Sequence, residues 1–209
     1  MELSVSILSI KENIVKKIDE LNNLPIDYIH VDVMDGIFVK NKTELLDVVK
    51  NNCKKPIDVH LMVEDVEEYI EEYKKLNPTY ITFHFETFNN IDRIISLIKD
   101  NNIKVGISVK PSTDVALLIP YLNKIDLVLV MTVEPGKGGQ KFMSTMDYKI
   151  KDLVEIRNNN NYNYKIEVDG GINDKTINSV KDADIVVVGS YITCSSDYEG
   201  KIKTIKGEK

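Results

Sequence analysis

Eight alternations of a short apolar run with a longer amphipathic one predict an α/β fold built of βα repeats. Glycine placement says how the repeats close. Of 10 glycines, Gly36, Gly136, Gly138, Gly139, Gly170, Gly171 and Gly189 follow a predicted strand directly or lie in its exit loop, the face on which a (β/α)8 TIM barrel builds its site. The competing open, doubly wound sheet calls for a glycine fingerprint after its first strand, whereas here that strand runs into Ser6-Ile7-Leu8-Ser9. A single barrel domain over residues 1–209 is therefore expected.

The first strand is expected over 4–8 and the first helix over 12–21, where Ile14, Val15, Ile18 and Leu21 recur at helical spacing. A second strand at 26–33 precedes a helix at 43–50 that repeats the pattern with Leu45, Leu46, Val48 and Val49. Pro56 introduces the third strand, 57–62, and Asp65 can cap the helix after it, whose many Glu and Lys residues make a solvated face. The fourth strand, 79–83, leads to a helix marked by Ile91, Ile94, Ile95 and Ile98. Strand five is 104–109, and Ser112 or Thr113 is the expected cap of a fifth helix carrying Val115, Leu118, Ile119 and Leu122. The most continuous apolar run, 125–131, reads as a strand covered on both sides. Beyond it come a helix at 146–157, an Asn-rich loop at 158–163, a strand at 165–168, a short helix at 174–180, a strand at 185–188 and a weakly written final helix.

At 209 residues and 43% apolar, the chain can bury one sizeable core. A formal charge of -6 argues against a nucleic-acid or anionic-membrane surface, because both reward excess Lys and Arg. An anionic small molecule stays compatible if backbone amides hold it. Cys53 and Cys194 are too few for a disulfide framework and fit a reduced, cytoplasmic setting, and no stretch approaches the length needed to span a bilayer.

The second strand carries the chemistry. In Tyr28-Ile29-His30-Val31-Asp32-Val33, the β-branched residues alternate with polar ones, so one face is aliphatic while the other presents an imidazole and a carboxylate two residues apart. An ionised Asp away from water is costly unless a metal, a charge or several donors hold it. His60 ends the third strand and Asp169 the seventh, so in a barrel His30, Asp32, His60 and Asp169 all point to the upper mouth. Two imidazoles and two carboxylates suit one divalent ion such as zinc, iron(II) or manganese. A single inward histidine reads as a hydrogen-bonded core residue; four such groups at strand ends read as ligands. His84 also ends a strand, but lacks the HxD arrangement and is taken as a polar rim residue.

Gly136-Lys137-Gly138-Gly139, Gly170-Gly171 and Gly189-Ser190 follow strands six, seven and eight, and the last two occupy the usual phosphate position of barrels. Lacking side chains, their amides can approach an anion together. Glycine in any one of these loops could serve only the turn; three loops on one face suggest a phosphate ester as ligand, bound by a chain whose arginines are Arg93 and Arg157.

The runs Ser6-Ile7-Leu8-Ser9, HVDVMDG from His30, DVHLMV from Asp58, MTVEPGKGGQKF from Met131, VDGGI from Val168 and Gly189-Ser190 resemble those of ribulose-phosphate 3-epimerases, in the right order over nearly the whole chain. The resemblance implies a ribulose-phosphate-binding barrel, one divalent metal and reversible interconversion of D-ribulose 5-phosphate and D-xylulose 5-phosphate in the pentose phosphate pathway, by a protein that is commonly a homo-oligomer. By motif, His30, Asp32, His60 and Asp169 match the metal ligands, with Asp32 and Asp169 also the proton-transfer pair. Ser6 and His60 match substrate contacts. Gly136, Lys137, Gly138, Gly139, Asp169, Gly170, Gly171, Gly189 and Ser190 fall in segments that hold substrate and its phosphate, and Met34, Met62 and Met131 match methionines lining the pocket.

The chain departs from that pattern at Lys11, Ile37, Lys40 and Lys137, and is shorter than usual between 41 and 60. None of these positions is a ligand; they concern the loops over the substrate. Two other functions stay open at this point: epimerisation of a different phosphorylated ketose, and a non-catalytic barrel that binds phosphosugars.

Overall fold

The computed structural model describes residues 1–87 and 90–208. Eight parallel strands close on themselves in sequence order: β1 (Glu2–Ser6), β2 (Tyr28–Met34), β3 (Ile57–Met62), β4 (Tyr80–His84), β5 (Lys104–Val109), β6 (Leu127–Met131), β7 (Lys165–Asp169) and β8 (Ile185–Val188). Pairing of β1 with β8, from Glu2 opposite Ile185 to Val5 opposite Val188, completes the barrel. Around it lie α1 (Ile14–Asn22), α2 (Leu46–Asn52), α3 (Val66–Tyr73), α4 (Ile91–Asp100), α5 (Asp147–Asn160), α6 (Ser190–Thr193) and α7 (Tyr198–Lys206).

The alternation in β2 sorts its side chains as expected: Ile29, Val31 and Val33 join the apolar layer between strands and helices, while His30 and Asp32 face inward. Parallel register continues that inward row. His30 stands opposite Asp58 and Asp32 opposite His60, His60 opposite Thr82, and Leu129 opposite Glu167. Barrel interiors are usually filled by branched apolar side chains. Here Ser4, His30, Asp58, Thr82, Ser108 and Glu167 are all buried, so the interior is polar along much of its circumference.

Four elements differ most from the sequence reading. The fifth helix shrinks to a 3-10 turn, Val115–Leu118, capped by Asp114 rather than Ser112 or Thr113. Pro120 has no N–H to extend the turn, and the Thr113 hydroxyl is bonded to Glu86 instead. The short helix at 174–180 is likewise a 3-10 turn, Ile177–Val180. The Asn-rich loop is partly helical: α5 runs to Asn160 and stops where Asn161 takes the left-handed conformation, φ 54°, which asparagine tolerates better than most residues. β1 begins earlier than expected because Glu2 N–H bonds Asp184 O, and it ends at Ser6, whose own hydroxyl accepts from Leu8 N–H.

Candidate active site

His30, Asp32, His60 and Asp169 come together at the C-terminal mouth of the barrel, each offering a donor atom within 4.8 Å of the others. Each of the first three is oriented by a buried partner. Ser6 Oγ donates to Asp32 Oδ2 at 2.7 Å. His30 Nδ1 meets Asp58 Oδ2 at 2.6 Å, and Ser4 Oγ donates to the same oxygen at 3.0 Å. His60 Nε2 faces His84 Nε2 at 2.9 Å.

The remaining ring nitrogens, His30 Nε2 and His60 Nδ1, are buried and without hydrogen-bond partners among the described residues. Both lie 3.6 Å from Asp32 Oδ1. That is too long for a hydrogen bond, whereas ligands each about 2 Å from a shared ion stand roughly 3–4 Å apart. The donor set, borderline nitrogen with hard oxygen, therefore fits one divalent cation.

Electrostatics separates the two carboxylates. Burial raises the Asp32 pKa, but His30 and His60 beside it more than reverse this and hold the group ionised far below the usual carboxylate range. Burial opposes charge on His30, yet Asp58 and Asp32 on either side raise its pKa well above the ordinary histidine value. Positive charge is thus favoured at the point where the free nitrogens converge. Asp169 behaves oppositely: burial and the Asp32 charge push it up to about 6. Deeper in the barrel, burial and the neighbouring Asp58 carboxylate push Glu167 well above its usual value.

The cluster opens into a recess lined by Ser6, Asp32 and Asp169, by Met34, Met62 and Met131, and by the glycine loops. Those loops supply Gly136, Lys137, Gly138, Gly139, Gly170, Gly171, Gly189 and Ser190 to the lining. Backbone freedom is required at Gly171: its φ is +68°, and a Cβ there would collide with Phe142 N and lie 2.8 Å from Phe142 Cα. Asn41 Nδ2 donates to Gly136 O at 2.7 Å, tying the β2 exit loop to the β6 loop. Lys11, Ile37, Lys40 and Lys137 are all exposed, so the departures from the family pattern leave the cluster itself intact. His60 is not on the recess wall; it is fully buried behind Asp32.

His84 is not a rim residue. It is fully buried and links His60 to Glu86, whose Oε2 lies 3.1 Å from His84 Nδ1. Burial lowers the His84 pKa to about 4 despite Glu86, which keeps the ring neutral. Asp58, Glu167, Glu86 and Lys149 also escape the sequence reading. Asp58 and Glu167 carry a readable signal, since each precedes a ligand candidate by two residues on the same inward face. Lys149 carries none: its buried ammonium donates to the carbonyls of Lys110, Pro111 and Thr113, a contact between α5 and the β5 exit that no local pattern announces.

No helix of the described residues is long and apolar enough to cross a membrane. Residues 2–193 match the Ribulose-phosphate 3 epimerase family. A Helicobacter pylori protein named ribulose-phosphate 3-epimerase is 39% identical over 203 residues, covering 94% of this chain and 93% of its own length. A Bacillus subtilis protein of the same name is 38% identical over 189 residues, 88% of this chain and 87% of its own. Among solved structures, KGPDC from Streptococcus mutans superposes with a TM-score of 0.73 at 15% identity, over 99% of this chain and 95% of that one, a likeness of fold. Sequence agreement with the two epimerases at that level and over that span shows that the chain belongs to the ribulose-phosphate 3-epimerase family, carbohydrate isomerases that epimerise a pentose phosphate.

Proposed function

We propose that the chain interconverts D-ribulose 5-phosphate and D-xylulose 5-phosphate, with Asp32 and Asp169 as the two acid/base groups and with His30, Asp32, His60 and Asp169 as ligands of one divalent ion. The observation that carries this is the pair of carboxylates, one held ionised and one pushed to about 6, in a cluster with two buried imidazole nitrogens that have no hydrogen-bond partner among the described residues. Carboxylates whose environments drive their pKa values apart can divide the work of base and acid.

Inverting a carbon beside a ketone requires removing its proton from one face and returning a proton to the other. Asp32 on β2 and Asp169 on β7 flank the recess with β1 and β8 between them. Asp32, ionised and steadied by the Ser6 hydroxyl, takes the C3 proton of one epimer, leaving a planar enediolate. Asp169 delivers a proton from the far side, and the reverse reaction exchanges the roles. The ion, when bound, acts as a Lewis acid that eases charge build-up at the ketone, a contribution of several kcal/mol. Met34, Met62 and Met131 line the recess with apolar, adaptable surface. The glycine loops 136–139, 170–171 and 189–190 offer backbone amides to the phosphate. Ser6, which lines the recess, is the side chain proposed to contact the sugar. Free Cys53 and Cys194 support a cytoplasmic setting, and self-association, readable by light scattering, is the family expectation.

A coupled assay for xylulose 5-phosphate formation tests the reading. Asp32→Asn and Asp169→Asn should each lose on the order of 10²- to 10⁴-fold in kcat, and chelator should abolish turnover reversibly. Full activity in either variant removes that carboxylate from the mechanism. Binding of ribulose 5-phosphate without turnover would instead indicate a non-catalytic barrel, and faster turnover of another ketose phosphate would reassign the substrate.

A further inference from the structure

His60 addresses the cluster through Nδ1, so the state of that nitrogen depends on what Nε2 does. Nε2 faces His84 Nε2 at 2.9 Å. Two bare nitrogens would repel at that distance and two protons would clash, so one ring donates and the other accepts. The direction is set one step further out. His84 Nδ1 points at Glu86 Oε2, 3.1 Å away, while Glu86 Oε1 accepts from Lys110 N–H at 2.8 Å and from the Thr113 hydroxyl. A carboxylate that only accepts obliges His84 to carry its proton on Nδ1. The neutral ring then has a bare Nε2, His60 must donate to it, and His60 Nδ1 is left unprotonated toward Asp32.

We propose that His84 and Glu86 are positioning residues that lock His60 in the one tautomer able to offer Nδ1 to a metal ion. The inference rests on the metal reading of the site given above and adds the device that prepares it. Metal-binding histidines commonly donate their other N–H to a carboxylate or carbonyl. His30 follows that pattern directly through Asp58; His60 follows it through a second imidazole.

The longer arm couples the ligand to a region outside the barrel. Glu86 lies in the 3-10 turn after β4, Phe85–Thr87, and is gripped by the β5 exit segment. That segment is pinned in turn by Lys149 Nζ, which donates to the Lys110, Pro111 and Thr113 carbonyls at 2.8, 2.8 and 2.5 Å. If His84 served only to fill space beside Phe38, whose ring centroid is 4.8 Å away, a phenylalanine there would do as well.

The test uses the whole protein and reads metal affinity and tautomer rather than turnover. Nitrogen NMR of the metal-free wild type at about pH 8, where an ordinary imidazole is neutral, should show His60 protonated on Nε2 and His84 on Nδ1. Cobalt titration, followed by its absorption, should show His84→Phe binding roughly 10- to 100-fold more weakly. His84→Gln, which can return a carbonyl oxygen near the lost nitrogen, should recover most of that loss. Cobalt affinity in His84→Phe within roughly twofold of wild type, or His60 protonated on Nδ1 in the wild type, would overturn the proposal. Should His84→Phe not fold, Glu86→Gln decides: weaker cobalt binding with a redistributed His84 proton supports the proposal, and no change in either overturns it. A wild type that takes up no cobalt would overturn the metal reading itself, whereas uptake indifferent to His84 would overturn only the positioning role.

Discussion

On the β1 to β4 side of the recess, Asp32, His30 and His60 each lean on a buried partner, respectively Ser6, Asp58 and His84. On the β6 to β8 side, Gly136, Gly138, Gly139, Gly170, Gly171 and Gly189 enter the lining, and what they offer is backbone. The first wall works by the identity of its side chains and is only as good as the groups behind them. Apart from Asp169, the second works where its glycine loops have no side chains, so the tolerance of those loops is set by conformation and space. Substitutions that leave one wall indifferent should therefore damage the other.

The largest effect is expected where the glycine wall is tightest. In Gly171→Ala, the new Cβ would collide with Phe142 N and meet Phe142 Cα at 2.8 Å, from a backbone at φ +68°. A loss of roughly 3 kcal/mol or more is expected in urea denaturation, because backbone atoms cannot give way cheaply. Gly189→Ala is the companion: its Cβ would touch Ser6 Cβ at 3.5 Å, an ordinary contact, and stability should change by less than about 1 kcal/mol. Equal stabilities for these two variants would break the contrast.

A comparable but pH-dependent effect is expected behind the other wall. Burial raises the Glu86 pKa, but bonds from His84, Thr113 and Lys110 N–H outweigh it and bring the carboxyl from 4.5 down to about 2. The folded state therefore binds this proton less readily than the unfolded one. The stabilisation is complete above the unfolded value and disappears as pH falls through the folded one, with a ceiling of roughly 3 kcal/mol. Denaturant midpoints of the wild type should fall more steeply between those two pH values than those of Glu86→Gln. Parallel curves would mean that the carboxylate is not held as described.

The smallest effect is expected at Lys137. Its side chain is exposed, so Lys137→Ala should change the KM for the sugar phosphate by less than about threefold, in line with the small worth of solvated charges. A much larger rise would put a side chain to work on the glycine wall and blur the distinction.

The two walls are not equally legible in the sequence. β3, β5 and β8 match their expected ranges, and the Asp65 cap is present, accepting from Glu68 N–H. Each of these is announced within a few residues. Periodicity overextends the fifth helix because apolar spacing continues across Pro120, which stops hydrogen bonding without disturbing the pattern. In the site, His30-Val31-Asp32 stands out, yet the same inward alternation is written in Asp58-Val59-His60 and Glu167-Val168-Asp169. His84 looks like a rim residue for want of an acid in the HxD arrangement. Its acid is Glu86, brought back onto Nδ1 by the turn after β4.

What this sequence determined by itself are properties of single strands and loops: which residues face inward, where each strand ends, and where the chain has no side chain. Period-two alternation and glycine are local, so they survive without any knowledge of the fold. Which nitrogen meets which oxygen was decided only by tertiary structure. The Asp58–His30–Asp32 and Glu86–His84–His60 chains join neighbouring strands and exit turns, and the closure of the barrel, not any one segment, fixes the register that brings them within hydrogen-bonding reach.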